Sequence, residues 1–169
     1  MKLFASCSST LLLCLLLFTL PVSAQSNQQK KAEKALVQYL NKLCKTYTEN
    51  QLSIDMGTIV QPYSIQNGTL SVVRKYKSET DSSVFFVRTS VAISNIKDVF
   101  YDYYVGFVGN NKSSVTEERT NNLQTAFEKI STMYLMHVAP IDNSDDGPVV
   151  QTKLLQLVKD VQAAYNSSK

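Results

Sequence analysis

The chain is poor in the residues that most enzymes and metal sites rely on: one histidine, three cysteines, five glycines and four prolines in 169 residues. With His137 as the sole histidine, no metal site built on two or more histidines can form in one chain. A serine nucleophile would have to take its base from the same residue, and no Gly-x-Ser-x-Gly elbow is present. The few glycines make neither a phosphate-cradling loop nor a dinucleotide fingerprint, and with so little proline they exclude a collagenous or low-complexity chain. Charge is scarce as well. Charged residues make up 18% of the chain with a formal net charge of +3, against 44% hydrophobic residues, which excludes wholesale disorder and lacks the clustered basic surface of a nucleic-acid binder.

The longest apolar run lies at the start. Met1-Lys2 is a short positive end, Leu11–Leu20 is apolar, and Pro21-Val22-Ser23-Ala24 supplies a break with small residues where a signal peptidase cuts. This is the pattern of a cleaved secretory signal. Ten residues span roughly 15 Å as a helix, about half of a bilayer core, too short for a stable anchor. The expected organisation is a signal peptide over 1–24 and one globular domain over 25–169. The product is secreted or periplasmic, with no membrane anchor after cleavage. Cys7 and Cys14 leave with the signal and suit lipidation poorly, since Cys14 follows Leu12-Leu13 where a small residue is needed. The mature chain then has 16 Lys and Arg against 14 Asp and Glu, a net +2. Its single cysteine, Cys44, can form no intramolecular disulfide. A mature chain of 145 residues folds without one. The lack of disulfides points toward a periplasm. Asn67, Asn111 and Asn166 begin Asn-x-Ser/Thr triplets, which matter only in a eukaryotic secretory pathway.

Periodicity predicts the elements. Gln28–Tyr47 is rich in helix formers, and Leu36, Leu40, Leu43, Cys44 and Tyr47 fall on one face. Cys44 is thereby read as a small core hydrophobe rather than a reactive thiol. From Leu52 the pattern is that of strands: Leu52–Met56, Thr58–Gln66, Thr69–Lys77, Ser83–Ser94, Val99–Val108 and Ser114–Thr120, rich in Val, Ile, Thr, Tyr and Phe. Asn67-Gly68 is a strong hairpin signal because the favoured two-residue turn needs positive φ at both positions. Asn95–Asp98 is read as a turn. In Asn121–Pro140, Leu123, Phe127, Ile130 and Tyr134 have helical spacing while Met133–Val138 suits a strand. The reading is a loop or helical turn through Ile130, then a strand over Thr132–Ala139. Asp145-Asp146-Gly147-Pro148 begins a last helix, with Val150, Leu154, Leu157, Val158, Val161 and Tyr165 as its apolar stripe.

The expected fold is therefore α+β: an N-terminal amphipathic helix, an antiparallel meander of about six or seven strands forming a curved sheet or small barrel, and a C-terminal helix packed on the sheet. In element order alone this is similar to small pleckstrin-homology-like barrels closed by a C-terminal helix. The similarity carries no motif and implies no function.

Two constellations remain. Asp142–Gly147 resembles the first half of a calcium loop, but Lys153 stands where the bidentate glutamate belongs and Val150 at position nine. It reads as an acidic turn capping the last helix, and no metal or cofactor is expected. The aromatic run Phe100, Tyr101, Tyr103, Tyr104, Phe107 places rings on both faces of one strand. Asp98, Phe100, Asp102 and Tyr104 share one face by alternation, and Val99, Tyr101, Tyr103 and Val105 the other. One face must be core, and the other is either covered by a helix, the reading favoured by a two-helix domain, or left free for a partner. On the second reading Tyr101, Tyr103, Tyr104 and Asp102 are the candidate binding residues, for an unidentified protein or small ligand, because tyrosine joins an apolar ring to a polar tip. The expected function is a non-catalytic exported binding or interaction module. The alternative is a small hydrolase using Asp98 and Asp102 as an acid–base pair, against which stands Asp102 pairing with Arg88 or Lys97 at the surface.

Overall fold

In a computed structural model, residues 27–46, 56–141 and 145–167 are described. The expected signal peptide, the strand over Leu52–Met56 and the Asp142–Ser144 part of the acidic turn lie wholly or almost wholly outside them. The architecture is α+β, with one helix at each end of an antiparallel β-structure. Helix α1 (Asn27–Thr46) buries Leu36, Leu40, Leu43 and Cys44, the stripe its sequence predicts. Strands β1 (Thr58–Gln66) and β2 (Thr69–Lys77) meet at Asn67-Gly68, whose φ values of 49° and 76° meet the demand of the turn.

β3 (Val84–Ala92) continues the meander, but then the chain leaves the sheet. A single 3₁₀ turn, Ile93–Asn95, buries Ile93 completely and returns its N–H to the Gly68 carbonyl. β4 (Ile96–Asp102) and β5 (Tyr104–Gly109) form a separate hairpin. β6 (Val115–Thr120) returns beside β3 and β7 (Glu128–Met133) pairs with β6, while β8 (Leu135–Pro140) pairs with β5. Among the described residues the result is eight strands in two antiparallel sheets, ordered β1-β2-β3-β6-β7 and β4-β5-β8. This replaces the single meander of six or seven strands, and among the described residues no barrel closes. Three local readings change with it. Ile96–Asp98 belongs to β4 rather than to a turn. The predicted strand Val99–Val108 is broken by Tyr103, which takes a φ of 53° and reverses the chain. Of the predicted loop or helical turn and strand over 121–139, residues 121–127 do form a loop, but Glu128–Met133 and Leu135–Pro140 are two strands meeting at Tyr134. The helical spacing of Leu123, Ile130 and Tyr134 marks no buried face, since all three are exposed.

Helix α2 (Asp146–Asn166) buries Val150, Leu154, Leu157, Val158 and Val161. Asp145 stands at its N-cap but makes no side-chain capping bond. The first turn is seated by contact instead: Gly147 lies against the Tyr101 ring, where any Cβ would collide. α2 also seals the open edge of β4. Gln151 Nε2 donates to the Val99 carbonyl (2.7 Å), and Gln162 Nε2 donates to the carbonyls of Ile93 and Ile96 (2.9 and 2.8 Å). Side-chain amides thus stand in for a missing strand. α1 and α2 touch along their length, tied by the Tyr165 hydroxyl donating to Glu33 Oε1 (2.6 Å). The core joins both helices to Leu70, Val72 and Val91 of one sheet and Val99, Val105, Phe107 and Met136 of the other.

Candidate functional site

The three-stranded sheet has two unlike faces. Cross-strand register places Val99 opposite Phe107 and Tyr101 opposite Val105, and these four turn toward the helices and the core. Phe100 opposite Gly106, and Asp102 opposite Tyr104, form the outer face. The reversal centred on Tyr103 preserves the alternation read from sequence, so Phe100, Asp102 and Tyr104 do share a face. β8 adds His137 to it, opposite Gly106.

Gly106 makes this outer face possible. A Cβ there would stand 2.5 Å from the Met136 carbonyl oxygen and 2.5 Å from Phe100 Cε1. The absent side chain lets the Phe100 ring lie across the strand toward His137. The imidazole meets Phe100 edge-on (centroids 5.3 Å apart, planes at 88°) and Tyr104 likewise (5.4 Å, 79°). Such aromatic pairs contribute about 0.5–1.5 kcal/mol each beyond area burial. Crowding by its neighbours, with the Arg74 guanidinium behind the sheet, pushes the His137 pKa below its ordinary value, and Asp102 opposes the shift.

A pH dependence follows. The folded state binds the His137 proton more weakly than the unfolded chain, so stability is complete above the unfolded pKa near 6.5 and declines as pH falls from there through the folded pKa. Urea unfolding is expected to show that decline just below about pH 6.5, and His137→Gln is expected to flatten it. An unchanged slope in the variant would assign the titration elsewhere.

The candidate residues separate. Tyr101 packs on the core and seats α2, so it presents no ring to a partner. Tyr103 is alone at the hairpin tip, 73% exposed, its carbonyl accepting the Ile141 N–H (2.9 Å). Asp102 and Tyr104 stay together on the outer face. Asp98 accepts its neighbour Val99's N–H (2.8 Å). Four residues of strand put the backbones of Asp98 and Asp102 roughly 13 Å apart. Arg88 pairs with Glu118 across the strands (3.4 Å) and lies over the Phe127 ring, so it is not the partner expected for Asp102. His137 and Phe100, the other half of the face, were not among the candidates.

Behind β8 lies the other unusual group. The register shift between Val105 and Gly106 makes Val138 an extra residue in β8. Its carbonyl accepts from Arg74 Nη2 (2.9 Å) and the Cys44 thiol (3.6 Å). Arg74 Nη2 also donates to the Tyr63 hydroxyl (3.2 Å). Burial pushes the Cys44 thiol up to about 11 despite the opposing guanidinium, so it stays protonated and serves as a donor. Among the described residues no group of three or more His, Cys, Asp or Glu could hold a metal ion, and no helix is long and apolar enough to cross a membrane. No family model, no curated protein and no solved structure matches this chain.

Proposed function

We propose that the chain is an exported, non-catalytic binding module whose contact surface is the outer face of the β4-β5-β8 sheet with the Tyr103 tip. The observation that carries the reading is Tyr103 itself: a large ring, almost three-quarters exposed, held at positive φ. A bulky residue rarely takes that conformation, and an exposed aromatic there gains nothing from the core, which is how strain is distributed at functional positions. Phe100, Asp102, Tyr104 and His137 extend the surface on paired strands, with their rings already ordered, so little entropy is lost on contact. The wide separation of Asp98 and Asp102 counts against the carboxylate hydrolase, whose two groups need to flank one bond. A protein or small ligand suits the mixed charge and aromatic character better than nucleic acid.

The secreted form should begin at or near Gln25, and that form, isolated from its own compartment, is the sample to use. Tyr103→Gly is expected to unfold no more easily than the parent, because glycine takes positive φ without strain. Tyr103→Gly combined with Tyr104→Ser is expected to lose whatever mass the parent retains in native mass spectrometry. Retention of the same mass by the folded double variant would place the contact surface elsewhere.

A further inference from the structure

Helix α1 carries the whole positive excess of the chain. Its 20 residues hold five lysines, Lys30, Lys31, Lys34, Lys42 and Lys45, and one acid, Glu33. The remainder has 12 Lys and Arg (17 less 5) against 13 Asp and Glu (14 less 1). All five lysines are exposed. Lys31, Lys34, Gln38, Lys42 and Lys45 follow one another at steps of three, four, four and three residues, the spacing of one helical face. They make a row roughly 21 Å long, on the side of the helix opposite the buried Leu36, Leu40 and Leu43. No acidic residue belongs to the row. Glu33 is turned to α2, where it accepts from the Tyr165 hydroxyl (2.6 Å), and β1, packed beside the helix, carries no charged residue.

The electrostatics of the helix itself disfavour this arrangement. Its first turn holds no acidic residue and ends on Lys30, with Lys31 next, so cations stand near the positive end of the helix dipole. α2 shows the ordinary pattern, with Asp145 and Asp146 at its start. Along α1, Lys30 and Lys34 lie four residues apart, and Lys31 and Lys34, like Lys42 and Lys45, lie three apart. Like charges at these spacings repel and weaken a helix. Only Lys45, in the last turn, is placed where the dipole welcomes it. The apolar stripe of α1 already fixes the helix to the core, so the lysine row adds nothing to that docking. A local rule broken without gain to the fold is the mark of a surface kept for something outside it.

We infer that the lysine row of α1 docks the protein on an anionic phospholipid surface, with the helix lying along the headgroups. Neighbouring lysines of the row are closer together than a Debye length of about 10 Å, so their fields add. A lysine cluster on one helix face is drawn to the negative potential of an anionic leaflet. Lysine is a strongly hydrated point charge without the planar fork of arginine, and α1 has no arginine. Such a row suits a diffuse field of headgroups better than a shaped anion site. Because Leu36, Leu40 and Leu43 are committed to the core, the helix has no apolar face to sink into the acyl region. The contact is therefore peripheral, reversible and sensitive to salt, and it is not an anchor. It uses none of Phe100, Tyr103 or Tyr104, so it stands or falls apart from the proposed contact surface.

The test is co-sedimentation of the full mature chain with vesicles of phosphatidylcholine alone, and of phosphatidylcholine mixed with phosphatidylglycerol. At low salt the mixed vesicles are expected to bind at least about tenfold more tightly than the neutral ones, and about 0.5 M salt is expected to abolish the difference. The triple variant Lys31→Gln, Lys34→Gln, Lys42→Gln is expected to lose about tenfold or more in affinity for the mixed vesicles. It should melt at or above the parent temperature, since glutamine keeps the helix propensity and the repulsion is gone. Arginine at the same three positions is expected to keep the affinity within about threefold, because the charge is unchanged. The control is Lys97→Gln, Lys112→Gln, Lys129→Gln, which removes the same charge from exposed positions on other elements and should also stay within about threefold of the parent. Equal binding to both kinds of vesicle, or binding indifferent to salt, would overturn the inference. Unchanged affinity in the α1 variant, or an equal loss in the control, would do so too. An α1 variant that melts well below the parent or fails to fold would also overturn it, because the row would then serve the fold. A parent held by a sulfated polysaccharide but not by the mixed vesicles would assign the row to a different polyanion and overturn it as well.

Discussion

Leu154→Ala is expected to lower the unfolding free energy by about 2–5 kcal/mol, the largest loss from any single truncation on α2. Leu154 has no solvent exposure, and it lies in the core where α1, α2 and both sheets meet. Alanine removes the transfer free energy of the lost methyl and methylene groups and leaves a cavity. The wall of that cavity is built from strands on one side and a helix on the other, and these cannot close in on it together. Against a net stability of about 5–15 kcal/mol for a domain this size, such a loss is large. Denaturation in urea measures it as a lower midpoint at unchanged slope. The control is Lys159→Ala on the exposed side of the same helix, expected to shift stability by less than about 0.5 kcal/mol. Equal effects from the two would mean that α2 is not docked by this face.

The parts of the fold that could be read locally are those that local chemistry dictates. Asn67-Gly68 announces its hairpin because two consecutive residues must take positive φ, and few residue pairs do so readily. The stripes of α1 and α2 announce their buried faces because an isolated apolar face has no other use. What stayed hidden depends on partners distant in sequence. Nothing in Asp102-Tyr103-Tyr104 marks a reversal, since no glycine or asparagine supplies the positive φ that Tyr103 adopts. The return of β6 to the side of β3 is a pairing of Val91 with Val115, and periodicity within either segment is silent about it. Leu123, Ile130 and Tyr134 mimic a helical face because polar edge strands impose weak patterns.

The candidate site divides along the same line. Alternation correctly put Phe100, Asp102 and Tyr104 on one face, because a reversal centred on one residue keeps the alternation in step through both strands. It could not distinguish Tyr101, which the core claims, from Tyr103, which the turn exposes. His137 joined the face only through the pairing of β5 with β8, and Arg74 met Val138 only through the bulge in β8. A buried arginine in an otherwise apolar-polar alternating strand is legible as a charge, and the partners it finds, the Tyr63 hydroxyl and the Val138 carbonyl, are legible only in three dimensions.

Asn41→Ala is expected to cost about 2–4 kcal/mol, although Asn41 is a polar residue on a helix and is only partly buried. The reason lies in β1. Its register with β2 slips on either side of Gln61, where the edge strand carries Pro62, which has no N–H to donate. Tyr63, 1% exposed, is left there to find partners outside the ladder. Asn41 supplies both: its Oδ1 accepts the Tyr63 N–H at 2.9 Å and its Nδ2 donates to the Tyr63 carbonyl at 3.0 Å. One carboxamide thus does what a neighbouring strand would do, and it locks α1 against the sheet. Alanine strands a buried donor and a buried acceptor, each costing about 1–3 kcal/mol when unmade, with some relief from water entering the space. Asn41→Asp separates the two bonds. A carboxylate still accepts from the Tyr63 N–H but repels the carbonyl, so the loss at neutral pH should persist. Because that repulsion raises the pKa of the new carboxyl above its unfolded value, stability relative to the parent should recover as pH falls and the protonated group regains a donor. A loss in Asn41→Asp that does not diminish toward acid pH would show that the bond from this side chain to the Tyr63 carbonyl is not what the substitution removes.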